Sequence, residues 1–179
     1  ITLADRWVLS RLNTIIESIT KKMKNYHFGE VIRDLYSFVW HEFADWYIEI
    51  AKIQMADSKL KINTVNILQN SLFVILKLLH PFIPFVTEQI YQQLVNKKQE
   101  KKKLLMVENW PKTNKKLIDK KAEKEFEKIK NLVIEIRKWR QEKKINSQEI
   151  LDYKLKEKFN KEEKLIIEKL AKVKILNQI

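Results

Sequence analysis

The chain of 179 residues contains no cysteine, one glycine and three prolines. Without cysteine there is no disulfide framework, no thiolate metal site and no cysteine nucleophile, and a cytoplasmic setting fits best. A single glycine, Gly29, excludes the phosphate-cradling loops of nucleotide-binding proteins, in which several glycines let backbone N–H groups approach a phosphate closely. The longest apolar run, Ser71 to Leu79, is short and carries Lys77, which argues against membrane insertion. The opening residues lack the charged, apolar and small-residue zones of a signal peptide. Because Ile1 rather than Met stands first, we read the chain as a piece of something longer.

Histidine is sparse as well. His27, His41 and His80 lie far apart, and His41-Glu42 with Asp45 lacks the second histidine of a zinc-protease helix. Neither a metal site nor a catalytic residue is expected. Asp45 and Glu49 share a helix face, but their aromatic neighbours favour a structural anchor over an acid/base pair.

What is present is helix-forming. Lys, Glu, Leu and Ile dominate, and 45% hydrophobic residues suffice for the core of one domain with a small appendage. The net charge of +13 is uneven: residues 1–96 hold 10 Lys/Arg against 9 Asp/Glu, and residues 97–179 hold 26 against 14. A basic second half suits a polyanion, since neutralising phosphates releases counterions. An anionic membrane surface is the alternative partner, and solvated lysine faces are the plain one.

Apolar periodicity divides the chain. Val8, Leu12, Ile15, Ile16, Ile19 and Met23 make one helical face over Leu3 to Lys24. Asn25 to Gly29 breaks it, with Gly29 free to take a positive φ. Glu30 to Met55 forms a second, central helix, with Val31, Leu35, Phe38, Val39, Phe43, Trp46, Ile50 and Ile53 inward and Tyr36, Trp40 and Tyr47 widening that face. Lys59 to Asn63 reads as a polar connection before a third helix from Val65 to Leu79, which Pro81 ends and after which Pro84 opens a fourth. Asn96 to Lys103 reads as a basic loop, Leu104 to Val107 with Trp110-Pro111 as an extended strap, and Lys120 to Lys143 as a long helix.

Beyond Asn146 the pattern alternates over Ile150 to Leu155, turns helical from Lys161 to Ala171 and alternates again over Val173 to Leu176. That predicts two parallel strands joined by a helix. The expected fold is therefore mainly α, an antiparallel helix bundle over residues 1–146 with a small β-α-β appendage over 147–179.

Specific strings carry a resemblance. Leu3-Ala4-Asp5-Arg6-Trp7-Val8-Leu9-Ser10-Arg11-Leu12-Asn13 resembles the helix that opens the anticodon-binding region of valyl, isoleucyl and leucyl enzymes. Phe38-Val39-Trp40-His41-Glu42-Phe43-Ala44-Asp45-Trp46-Tyr47 is similar to the Phe-Val-Trp-x-Glu-Phe-Cys-Asp-Trp-Tyr segment of the valyl-tRNA synthetases, with Ala44 where cysteine is usual. Leu79-His80-Pro81-Phe82-Ile83-Pro84 resembles the family's helix-breaking corner, Glu108-Asn109-Trp110-Pro111 its strap, and Ile136-Arg137-Lys138-Trp139-Arg140-Gln141-Glu142 a further valyl element.

The resemblance implies the class I anticodon-binding domain of a valine–tRNA ligase. Its partners would be the anticodon stem-loop of valine tRNA and the remainder of the synthetase chain, with no membrane partner. It also implies that this fragment has no cofactor, while the parent enzyme uses ATP and Mg2+ in upstream domains. A family helix before residue 1 and a coiled-coil arm after Ile179 are expected outside the chain. The rivals are the isoleucyl enzyme, a helical protein-interaction scaffold and, last, a peripheral membrane binder.

RNA loops are read by stacking bases on aromatics, while cations hold the phosphates. Expected tRNA contacts are therefore Arg6 and Arg11 on the first helix, Trp46, Tyr47 and Ile48 in the valyl segment, and Arg137 and Arg140 further on. Trp40, Phe43 and Trp46 compete as core residues, and Tyr47 is expected to be exposed. Arg137 and Arg140 either clamp phosphate or pair with Glu142 or Asp152 to dock the appendage.

Overall fold

The computed structural model describes residues 1–95, 103–146, 149–155 and 157–176. Helix α1 (Leu3–Lys24) begins with a capping box, in which Thr2 and Asp5 satisfy one another's backbone N–H groups, and it ends in three lysines that complement the helix dipole. Helix α2 (Phe28–Tyr36) runs without a break into a wide π-type segment (Ser37–Ile48) and on into α3 (Glu49–Met55). After these come α4 (Ser58–Leu79), α5 (Pro84–Val95), α6 (Lys120–Glu142), strand β1 (Leu151–Tyr153), α7 (Lys161–Ala171) and β2 (Val173–Ile175). The architecture is the expected helix bundle with a β-α-β appendage.

The π segment is far longer than the single-turn bulge usual for this geometry, and its effect on packing is specific. An α-helix would follow buried Phe38 with Glu42, four residues on; the wider turns make the step five, to buried Phe43. Trp46, Tyr47 and Ile50 then continue the inward face. Tyr36 and Trp40 fall outside it and are exposed, so they do not widen the buried stripe as their spacing suggested.

Helix α1 is the hub of the bundle, rather than the second helix. It touches α2, the π segment, α4 and α6, and Trp7 stacks on Phe126 of α6 with ring centroids 4.2 Å apart. At its start a buried polar network joins four elements. Tyr47 donates to Asp5 Oδ1 at 2.8 Å, Gln54 donates to Thr2 Oγ1 at 2.7 Å, Asn63 donates to Asp5 Oδ2, and Thr64 donates to Gln54. Burial first, and then Asp5, raises the Tyr47 phenol well above its ordinary value, so it stays a donor.

Three further expectations need correction. Gly29 sits in the first turn of α2, and the positive φ belongs to Tyr26 (60°). Tyr26 N–H donates to Met23 C=O and His27 N–H to Lys22 C=O, the paired bonds that close a helix on a left-handed residue. Lys144 ends α6 in the same way, and Lys172 takes a left-handed φ after α7, so helices stop here without glycine. Lys59 to Asn63 is no connection but the start of α4, capped by Asp57; Asn63 and Thr64 are polar because they serve the buried network.

Leu105–Val107 forms a short 3-10 turn rather than an extended stretch, because Glu88 holds Leu105 N–H and Lys77, Tyr91 and Lys103 converge on Glu108. The strap itself follows α1, with Trp110 Nε1 donating to Thr20 and Asn114 N–H donating to Asn13. The expected basic loop lies outside the described residues, apart from Lys103. Helix α4 is long and apolar enough by composition to cross a bilayer, yet it is built into the bundle through Thr64, Ile67, Ile75 and Leu78.

In the appendage, β1 and β2 pair in parallel with Leu151 opposite Val173 and Tyr153 opposite Ile175, and α7 makes the crossover. Two strands alone are marginal in water. Here Leu155, Ile166, Ile167, Val173 and Ile175 belong to the same apolar core as Phe126 and Ile136 of α6, which supplies the missing burial.

Replacing Tyr47 with Phe leaves a buried Asp5 oxygen short of a donor and is expected to destabilise the chain by about 1–3 kcal/mol in urea unfolding. Glu108 offers a pH test. Hydrogen bonds from Lys103, then Lys77, lower its pKa from 4.5 to about 2. The stabilisation it contributes is therefore present above pH 4.5 and lost as pH falls toward 2. The stability gap between wild type and Glu108→Gln, measured by urea unfolding, should close across that window.

Candidate nucleic-acid interface

The residues expected to touch RNA are spread along the seams between helices. Tyr47 is fully buried beneath α1, which corrects its expected exposure: the rephased π segment turns it inward to Asp5. Trp46 is also buried, edge-on to Phe126, and Ile48 is half-buried against the core. No ring face of Tyr47 is left for a base.

Arg11 makes a two-pronged pair with Glu42 at 2.6 and 2.9 Å and approaches Glu123, and the Glu42 hydrogen bond raises its pKa further. It ties α1 to the π segment and to α6. Arg6, nearly half exposed, reaches Asp119 at 3.2 Å and Glu125 at 4.0 Å. Both arginines reach acids at the start of α6, and each is already paired within the chain.

Arg137 and Arg140 dock the appendage, but through backbone carbonyls rather than Glu142 or Asp152. Arg137 donates twice to Leu170 C=O in the last turn of α7, and its guanidinium lies 5.6 Å from the Trp46 ring. Arg140 is buried and donates to the carbonyls of Lys172, Asn146 and Glu149 at 2.9, 2.8 and 2.7 Å. Carbonyls at a helix end lack intrahelical partners and carry the negative end of its dipole, so a fixed fork of donors suits them. Lys130 lies over the Trp7 and Trp46 rings on the same seam.

The exposed aromatic surface lies elsewhere. Phe28, Ile32, Tyr36 and Trp40 recur every four residues along one side of α2 and the π segment, and all are exposed. Ile32, Tyr36 and Trp40, with Leu35, Val39, Leu79, Phe82 and Ile83, border an open groove of about 370 Å³. The Tyr36 and Trp40 ring planes are parallel to within 8°, their centroids 6.3 Å apart. The four-residue row was visible in the sequence, but simple helical periodicity assigned Tyr36 and Trp40 to the buried stripe. Among the described residues, no group of three or more potential metal ligands comes together.

Arg140→Lys cannot reproduce the three-carbonyl fork. Amides of β1, α7 and β2 should exchange faster in hydrogen–deuterium exchange, while those of α1 and α4 keep their protection.

The model of the anticodon-binding domain of tRNA ligases matches residues 5–173. Similar curated proteins include the valine–tRNA ligases of Oceanobacillus iheyensis (38% identical over 144 residues, 79% of this chain and 16% of the relative), Bacillus cereus (41% over 143 residues, 79% and 16%) and Listeria innocua (44% over 121 residues, 66% and 13%). The chain thus spans about 16% of the length of the first of these relatives. A helical bundle with a two-stranded parallel appendage, and a family match across nearly all of it, lead to one conclusion: this chain belongs to the anticodon-binding domain family of tRNA ligases.

Proposed function

We propose that this chain is the part of a valine–tRNA ligase that holds the anticodon stem-loop of valine tRNA. In this reading, joining valine to tRNA with ATP and Mg2+ falls to other parts of the parent protein, in the cytoplasm. The observation that carries it is the identity of 38–44% to proteins named valine–tRNA ligase, over 66–79% of the chain. That set favours valine over isoleucine as the amino acid of the parent enzyme.

The chemistry is consistent with holding rather than reacting. Cationic side chains dominate the second half of the chain, and Lys121, Lys124 and Lys128 leave α6 toward solvent. Arg6, Arg11 and Arg137 stand as proposed phosphate contacts, each retaining exposed surface beside its internal partner. Trp46 and Arg140 would act by shaping the seam from beneath.

The test is binding of valine tRNA, isoleucine tRNA and an anticodon-mutated valine tRNA across a salt series. A preference for valine tRNA that disappears with the anticodon change is expected, over a salt-dependent background from phosphate contacts. Salt-insensitive binding with no preference among the three would overturn the reading in favour of a protein-interaction scaffold.

A further inference from the structure

The chain has five arginines, and four of them are engaged: Arg6 with Asp119, Arg11 with Glu42, Arg137 with Leu170 C=O and Arg140 with three carbonyls. Arg33 alone is exposed with neither an ion pair nor a side-chain hydrogen bond among the described residues. Its acidic neighbours do not neutralise it. Asp34 is held by Lys22 at 2.7 Å and by Ser18, and Glu30 is held by Lys22 and His27. An unpaired guanidinium is thus left on the outer side of α2.

Arg33 precedes Tyr36 by three residues, which makes the two neighbours on the surface of α2, and the Trp40 ring lies beside that of Tyr36. Tyr36 is 60% and Trp40 56% exposed, unusual for large aromatics with so much core beside them. Their backbone is anchored from within, because Leu35 at the floor of the groove and Phe38 in the core are buried. Parallel rings, an apolar groove between them and Ile83, and an unpaired planar cation one helical turn before Tyr36 form a recognisable chemical set. Every nucleobase has a π-face that stacks on such rings, and a guanidinium binds the adjoining phosphate through two N–H groups.

We propose that Tyr36 and Trp40 form a stacking platform for an unpaired nucleobase of the bound RNA, with Arg33 holding the phosphate next to it. The proposal rests on the reading of this chain as a tRNA-holding module. It adds a site on α2 and the π segment, away from the seam where Arg6, Arg11 and Arg137 lie. A purely apolar protein helix would fill the groove but leave the Arg33 charge without a counterpart, so charge complementarity favours the polyanion.

The experiment compares wild type with Trp40→Ala, Trp40→Phe and Arg33→Gln for binding to a valine tRNA carrying a fluorescent aminopurine in its anticodon loop. These side chains are exposed, so urea midpoints should stay near the wild-type value. Trp40→Ala should weaken binding about 5- to 150-fold and abolish the stacking-induced quenching of the probe, and Trp40→Phe should restore most of both. Arg33→Gln should lower the slope of log affinity against log salt by about one. Wild-type affinity and quenching in all three variants would overturn the platform while leaving the tRNA-holding reading intact. Absence of tRNA binding by wild type even at low salt would overturn that reading, and the platform with it. Unchanged RNA affinity together with a Trp40→Ala shift in sedimentation would reassign the groove to self-association.

Discussion

The five-residue step from Phe38 to Phe43 governs how the rest of the molecule is arranged. Wide π-type turns let one continuous helix change its phase part-way along, so the stripe that begins with Val31 and Leu35 re-enters the core as Phe43, Trp46 and Tyr47. Without that change, Glu42 and Asp45 would point at α1. With it, Glu42 reaches the flank of α1 and pairs with Arg11, while the Tyr47 hydroxyl arrives at Asp5. Long π segments are rare, and the compensation here lies in the buried contacts of three large aromatic side chains.

The same phase change separates two kinds of aromatic residue. Phe43, Trp46 and Tyr47 become structural, packed against α1 and α6, whereas Tyr36 and Trp40 stay outside beside Leu79, Phe82 and Ile83. Cations divide in a parallel way. Arg11, Arg137 and Arg140 satisfy acids or backbone carbonyls within the chain, and Lys130 covers the Trp7 and Trp46 rings. Net positive charge is therefore not all free charge. The cations with planar, multidentate chemistry are largely used to dock the appendage and tie α1 to its neighbours.

Scarcity of glycine also leaves a mark on the chain. Tyr26, Lys144 and Lys172 take the left-handed conformation at helix ends, where a residue with a Cβ carries a penalty of about 1–2 kcal/mol. The paired backbone bonds after α1 and α6 offset that penalty by satisfying carbonyls otherwise left open. The two-stranded sheet is another element that stands only in context, because its strands share the core of α6.

Helical content, the ends set by Pro81 and Pro84, the long α6 and the parallel β-α-β unit were all legible from periodicity, since each is a local pattern repeated over many residues. The family was legible too, through strings such as Trp46-Tyr47 and Trp110-Pro111. What sequence could not decide was which member of a mixed aromatic run faces inward: a one-residue change in helical phase leaves composition untouched and moves each later side chain by about a quarter turn. Nor could it decide which arginines stay free, because Arg137 finds Leu170 and Arg140 finds Lys172 only once the appendage folds back. Local spacing determined the elements. Tertiary contacts between residues distant in the chain decided which side chains are buried, which charges are paired within the chain, and that Arg33, Tyr36 and Trp40 stay exposed.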